Sequence, residues 1–172
     1  DGRITIPAGT YPNGVDAADL NGDNADDVVV ANYYYAPDSV SVFLGGGDTP
    51  LSGRTSYATL PGAFGITVAD VNLDGAPDAI TPSVAGSEIA VLLGNGDGTL
   101  RAPMVSVGAA GPIAVGIGHL DNDPYPDAVT ANPRDHTVTA FRGLGNGVFV
   151  KRNSLPAPVY PFSVGFGDFD GD

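Results

Sequence analysis

The chain has 172 residues, 42% of them apolar, no cysteine, and a net charge of −13 from 20 acidic and 7 basic side chains. That apolar content suits a packed core and not a disordered tail, no apolar run reaches the roughly 18 residues of a membrane-spanning helix, and the acidic balance argues against nucleic acid, which needs a basic footprint. The lack of cysteine excludes disulfides, thiolate metal sites and a cysteine nucleophile.

The 25 glycines and 15 prolines predict many short strands joined by turns. No basic-then-apolar leader opens the chain, and Asp1-Gly2 reads as the middle of a repeat, which leaves room for a targeting segment upstream. The first full unit begins at Asp19-Leu20-Asn21-Gly22-Asp23, reaches Asp27, and passes into the apolar run Val28-Val29-Val30-Ala31. Tyr33-Tyr34-Tyr35 follows in an expected loop. It reads either as a platform for sugar rings or a protein anchor, or as packing over a neighbouring unit. An alternating stretch from Ser39 to Leu44, a glycine turn at Gly45-Gly46-Gly47-Asp48, and a further stretch near Gly53–Leu60 complete the unit.

The second unit repeats this order. Small and apolar residues at Gly65-Ile66-Thr67-Val68-Ala69 lead into Asp70-Val71-Asn72-Leu73-Asp74 and Asp78. Ala79-Ile80-Thr81, Glu88 to Leu93, the turn Gly94-Asn95-Gly96-Asp97-Gly98 and Leu100–Val107 follow. The third unit runs from Ala114-Val115-Gly116-Ile117-Gly118 through His119-Leu120-Asp121-Asn122-Asp123 and Asp127. It continues with Ala128-Val129-Thr130, Thr137 to Arg142, the turn from Gly143 to Gly147, and Val148–Ser154. A fourth loop opens at Asp168-Phe169-Asp170-Gly171-Asp172. The loop starts lie 51, 49 and 49 residues apart.

Four short strands per ~50 residues, with no sustained helical period, predict an all-β chain of β-propeller blades, each of four antiparallel strands. Residues 1–172 then form a single array of about three and a half blades, with the small residues before each loop on the innermost strand. The competing all-β reading, a sandwich, gives no reason for an acidic loop at one fixed place in every unit. Since propellers close with roughly four to eight blades, the remaining blades are expected from the same chain or from other copies.

Thirteen of the acidic residues lie in the four loops, while outside them seven acidic residues balance seven basic ones. Crowded carboxylates repel one another unless a cation sits between them. Calcium takes about six to eight oxygen ligands, which a short loop supplies through side chains at positions 1, 3 and 5, a carbonyl at 7 and a closing carboxylate at 9. Loop 1 (19–27) offers Asp19, Asn21, Asp23, the Ala25 carbonyl and Asp27. Loop 2 (70–78) offers Asp70, Asn72, Asp74, the Ala76 carbonyl and Asp78. Position 6 is Asn24 or Gly75, both tolerant of a left-handed turn. Loop 3 (119–127) offers Asp121, Asp123, the Tyr125 carbonyl and Asp127, but starts with His119, a poor calcium ligand, and has Pro124 at position 6, which cannot take a positive φ. It is expected to be weak, reshaped or empty. Loop 4 (168–172) contributes Asp168, Asp170 and Asp172 and stops before position 9. Asx-rich turns without metal are the competing reading, and magnesium is the weaker rival ion because it demands rigid octahedral geometry.

Asp70-Val-Asn-Leu-Asp-Gly-Ala-Pro-Asp78, followed by a strand and then Val91-Leu-Leu-Gly-Asn-Gly-Asp-Gly-Thr-Leu100, resembles the FG-GAP/VCBS repeat family across essentially the whole chain. The resemblance implies a β-propeller with Ca2+ held between the first two strands of each blade, the calcium loops serving as scaffold while partners use other loops. The resemblance does not settle function; the leading expectation is an adhesion or protein- or glycan-binding module of a secreted or cell-surface protein. Two other readings stand beside it. One is a calcium-assisted polysaccharide-degrading enzyme, for which Lys151-Arg152, His119 and His136 are the available bases. The other is a repeat subunit of a surface fibre.

Overall fold

The computed structural model describes residues 5–33, 38–46, 51–167 and 169. Among them there is no helix, and so none long and apolar enough to cross a membrane. Twelve strands are formed: β1 (Pro12–Ala18), β2 (Asp27–Asn32), β3 (Ser39–Leu44), β4 (Ser52–Ala58), β5 (Thr67–Ala69), β6 (Asp78–Ser83), β7 (Glu88–Leu92), β8 (Met104–Val107), β9 (Ala114–Gly118), β10 (Asp127–Asn132), β11 (Thr137–Gly143) and β12 (Phe149–Pro156). They make three separate four-stranded antiparallel sheets, each a meander in chain order: β1 to β4, β5 to β8 and β9 to β12.

This is the expected blade. Each acidic loop joins the first strand of a sheet to the second, and the pairs that close it are Ala18–Asp27, Ala69–Asp78 and Gly118–Asp127. One boundary differs from expectation. The fourth strand of the second sheet starts at Met104 and not near Leu100, which makes only an isolated bridge to Gly94. Pro103 intervenes, and it has no N–H to give the ladder.

The three sheets stack face to face, so the middle sheet is buried on both sides. Successive side chains of a strand point to opposite faces. Ile80, Ile89 and Val91 therefore pack toward Val115, Ala128, Phe141 and Phe149 of the third sheet. Ala79, Ala90 and Leu92 face Val29, Val40 and Val42 of the first. This two-sided burial is why all six residues of β6 are buried, and it separates the fold from a two-sheet sandwich.

β1, β5 and β9 lie side by side where the sheets converge. A Cβ on Gly14 would stand 2.8 Å from the Ile66 nitrogen, and one on Gly65 would stand 2.7 Å from the Ile113 carbonyl oxygen. The small residues ahead of each loop thus answer to crowding between inner strands, as their sequence placement suggested. Polar contacts tie the same strands. The Asp16 carboxylate accepts the Val68 N–H at 2.8 Å, and Thr67 Oγ1 donates to the Val115 carbonyl at 2.7 Å. Val164 and Phe166 pack against Gly116 and Gly118 of β9, the place where a fourth inner strand belongs. The result is an open array of blades, a partial propeller.

Phe141 is wholly buried between the second and third sheets. Phe141→Ala is expected to cost about 3–5 kcal/mol, the range for a large aromatic lost from a tight core, read by urea unfolding of the whole array.

Candidate metal centres

The loops between first and second strands place their side chains by short-range hydrogen bonds. In loop 1 the Asp19 carboxylate accepts N–H groups of Asn21, Gly22, Asp23 and Asn24 at 2.7–3.2 Å. Asn21 Oδ1 accepts the Asp23 N–H at 2.9 Å, and Asp23 Oδ1 accepts the Ala25 N–H at 2.9 Å. Loop 2 repeats the scheme. Asp70 accepts from Asp74 and Gly75, Asn72 Oδ1 from Asp74, and Asp74 Oδ1 from Ala76. In both loops the position-3 amide donates to the position-5 carboxylate: Asn21 to Asp23 at 3.2 Å and Asn72 to Asp74 at 2.9 Å. Positions 1, 3 and 5 are thereby gathered into one small volume. The turn needs left-handed backbone twice, at Gly22 and Asn24 (φ +77° and +66°) and at Leu73 and Gly75 (φ +60° and +87°).

Position 9 is of a different kind. Asp27, Asp78 and Asp127 are each 0% exposed, and each carboxylate is held by two backbone N–H groups. One comes from position 2 of its own loop (Leu20, Val71, Leu120) at 2.9–3.0 Å. The other comes from the glycine that ends or follows the third strand (Gly45, Gly94, Gly143) at 2.7–2.9 Å. The carboxylate therefore staples its loop to the far side of the sheet. A side chain on the glycine is not tolerated: a Cβ would lie 2.3, 2.3 or 2.0 Å from the carbonyl oxygen of Asp26, Pro77 or Pro126. The expected closing ligands thus have a role that the spacing of a metal loop does not reveal. The signal was present in the sequence as the glycine that recurs 18, 16 and 16 residues after the aspartate.

Among the described residues, no three carboxylates or imidazoles already stand as a coordinating cluster. The donor sets of loops 1 and 2 nevertheless suit a hard cation. At positions 1, 5 and 9 each offers a carboxylate, at position 3 an amide oxygen and at position 7 a carbonyl; loop 1 has a further carboxylate, Asp26, at position 8. A carboxylate has about four lone-pair sites, of which the two backbone bonds at position 9 use two. Asp78 is pushed up to about 6, chiefly by burial, against the opposing pull of the Gly94 and Val71 N–H groups, and further by the negative charges of Asp74 and Asp70. Asp19 and Asp74 move the other way, held below the usual carboxylate range first by the N–H groups of Asn24 and Ala76 respectively.

Loop 3 keeps the bonds of positions 3, 5 and 9. Asp121 accepts the Asp123 N–H and Asp123 the Tyr125 N–H, both at 2.9 Å. It lacks those of position 1, where His119 is exposed. Neither Asn122 nor Pro124 has the positive φ found at positions 4 and 6 of the other loops. Its acidic groups bond to arginines instead: Arg142 Nε and Nη2 both reach Asp123 Oδ2 at 3.0 Å, and Arg152 Nη2 bonds Asp121 Oδ2. Loop 3 does not fit a calcium ion as loops 1 and 2 do. Arg152, one of the candidate bases, is an ion-pair partner of the loop. Asp168, Asp170 and Asp172 lie outside the described residues, as do Tyr34 and Tyr35. Tyr33 packs edge-on against Phe64 at 5.4 Å between ring centres, which is the neighbouring-unit alternative for that residue.

Asp78→Ala would strand the Val71 and Gly94 N–H groups in the interior. It is expected to cost about 2–4 kcal/mol in chelator as well as in calcium, measured by chemical denaturation. Leu73 is half exposed and holds a left-handed φ that costs a leucine about 1–2 kcal/mol. Leu73→Gly, matching Gly22, is therefore expected to be neutral or to stabilise by up to about 1 kcal/mol, read from the same unfolding curves; a loss above that size would show that the leucine is not strained.

A family model for the FG-GAP-like repeat matches residues 19–81 and 119–172, taking in loops 1 to 4, the strands that follow loops 1 and 3, and the start of β6. A search among curated proteins of known role returns no match. With more than half of its length matched, the chain belongs to the FG-GAP-like repeat family.

Proposed function

We propose that this array is a calcium-stabilised propeller module of a secreted or cell-surface protein, working by adhesion or by binding a protein or glycan partner and not by catalysis. The observation that carries the reading is the donor set of loops 1 and 2. Each gathers Asp, Asn and Asp side chains at alternate positions above a buried Asp that ties the loop to the sheet. Bound calcium would neutralise the crowded carboxylates of Asp19, Asp23 and Asp27, or of Asp70, Asp74 and Asp78, and lock the first two strands of the blade together. The ion is then structural. Extracellular calcium modules bind at about 10⁻⁴–10⁻³ M, so millimolar calcium fills such loops outside cells and cytosolic levels do not.

The non-catalytic reading draws support from the contacts of two of the four candidate bases. Arg152 is engaged by Asp121. His136 Nδ1 accepts the Tyr160 N–H at 3.2 Å, and its ring stands edge-on to that tyrosine at 5.0 Å. Neither faces loop 1 or loop 2. A polysaccharide-cleaving role for this segment would need a base beside a calcium-bound uronate.

Thermal melts in millimolar calcium, in equal magnesium and in EDTA test the reading. Millimolar calcium stands at about one to ten times the dissociation constant of such a loop, a gain of about 0.4–1.4 kcal/mol. At about 2–4 °C per kcal/mol for a chain of this size, each loop should raise the midpoint by roughly 1–6 °C. Equal midpoints in calcium and EDTA, or an equal rise with magnesium, would overturn the calcium assignment.

A further inference from the structure

We propose that the third loop is closed by the protein's own guanidinium groups in place of a metal ion, so that one blade of the array is independent of calcium by construction. The contrast with loops 1 and 2 rests on the calcium reading above; the closure by arginine does not.

The charge arithmetic favours the exchange. Loops 1 and 2 each hold carboxylates at positions 1, 5 and 9, and loop 1 has a fourth, Asp26, at position 8. Loop 3 holds three, at positions 3, 5 and 9, because His119 has taken the place of one acid and Asp121 that of an amide. In loops 1 and 2 the position-5 Oδ2 receives an N–H from the Asn at position 3. Asp121 has no such N–H to offer, and Arg142 supplies two to Asp123 Oδ2. Arg152 supplies another to Asp121. Two guanidinium groups carry the same +2 as one divalent ion, and they satisfy carboxylate oxygens with directed donors.

The positions of these arginines make the exchange specific to this blade. Arg142 immediately precedes the staple glycine, Gly143; the residues that precede Gly45 and Gly94 are Leu44 and Leu93. Among the described residues no ion pair reaches loop 1 or loop 2. Arg101 is the basic residue nearest in role, and its Nε donates to Asn95 Oδ1 at 2.8 Å; it lowers Asp74 only through space. Loss of the position-1 acid, loss of both left-handed turn residues and gain of two arginines coincide in one loop. Each change removes a requirement of the ion or replaces a service that it would perform.

Amide hydrogen exchange on the protein in chelator and in millimolar calcium, with Arg142→Leu/Arg152→Ser beside the wild type, tests the proposal. Arg142→Leu restores the residue type of the other two blades, so the fold should survive. Calcium is expected to slow exchange at the Asp23, Ala25, Asp74 and Ala76 amides and to leave Asp123 and Tyr125 unchanged. In chelator the double variant should speed exchange at Asp123 and Tyr125 by about five- to tenfold and leave loop 2 alone, since exposed ion pairs are individually modest. If the double variant leaves loop 3 unchanged in chelator, arginine closure is wrong. If calcium slows wild-type loop 3 as much as loop 2, metal independence is wrong. If calcium slows no loop while the variant still loosens loop 3, the closure stands and the calcium assignment of loops 1 and 2 falls.

Discussion

A carboxylate buried away from water must find donors for its oxygens, and three such groups set the geometry of this molecule. Asp27, Asp78 and Asp127 each take one N–H from the loop that precedes them and one from the glycine at the end of the third strand. The bond pair spans three strands and fixes where the loop sits above the sheet. It also dictates glycine at Gly45, Gly94 and Gly143, whose Cα atoms press on the carbonyl of the residue before the aspartate. A charge in this position is costly without such partners. The two backbone donors hold it in each blade, with or without an ion overhead.

The loops above this foundation are free to differ. Two of them assemble oxygen donors around an otherwise repulsive cluster, where a hard cation would meet alternating side chains and a carbonyl. The third places arginines against the same cluster and gives up the left-handed turns. In the reading proposed above, both would answer one electrostatic problem, the gathering of at least three carboxylates within nine residues. They differ in their dependence on the surroundings: an ion must be supplied at sufficient concentration, whereas a guanidinium is always charged.

The stacking of sheets follows from burial on both faces. The middle strands of the second blade are apolar on each side, and β6 and β7 accordingly face one core through Ile80, Ile89 and Val91 and another through Ala79, Ala90 and Leu92. The turn of each following blade seals the join. The Gly98 N–H donates to the Leu20 carbonyl at 2.9 Å, and Gly147 sits against Leu93 and Met104. The repeat in sequence is thus a repeat of interfaces as much as of strands.

The sequence by itself determined the blade. The recurrence of acid loop, apolar run, alternating stretch and glycine turn is local information, carried by side-chain alternation and turn chemistry, so four strands per unit and the position of each loop were legible from it. The departures at His119 and Pro124 were legible too, since the first lacks a carboxylate and the second cannot adopt a positive φ. Only the tertiary structure decided what the position-nine aspartates bond to and that arginines bond Asp121 and Asp123 of loop 3. Gly143 lies 16 residues from Asp127, Arg142 lies 19 from Asp123 and Arg152 lies 31 from Asp121. Those partners meet through the register of β10 on β11 and of β11 on β12, a long-range pairing that the spacing within a loop does not encode.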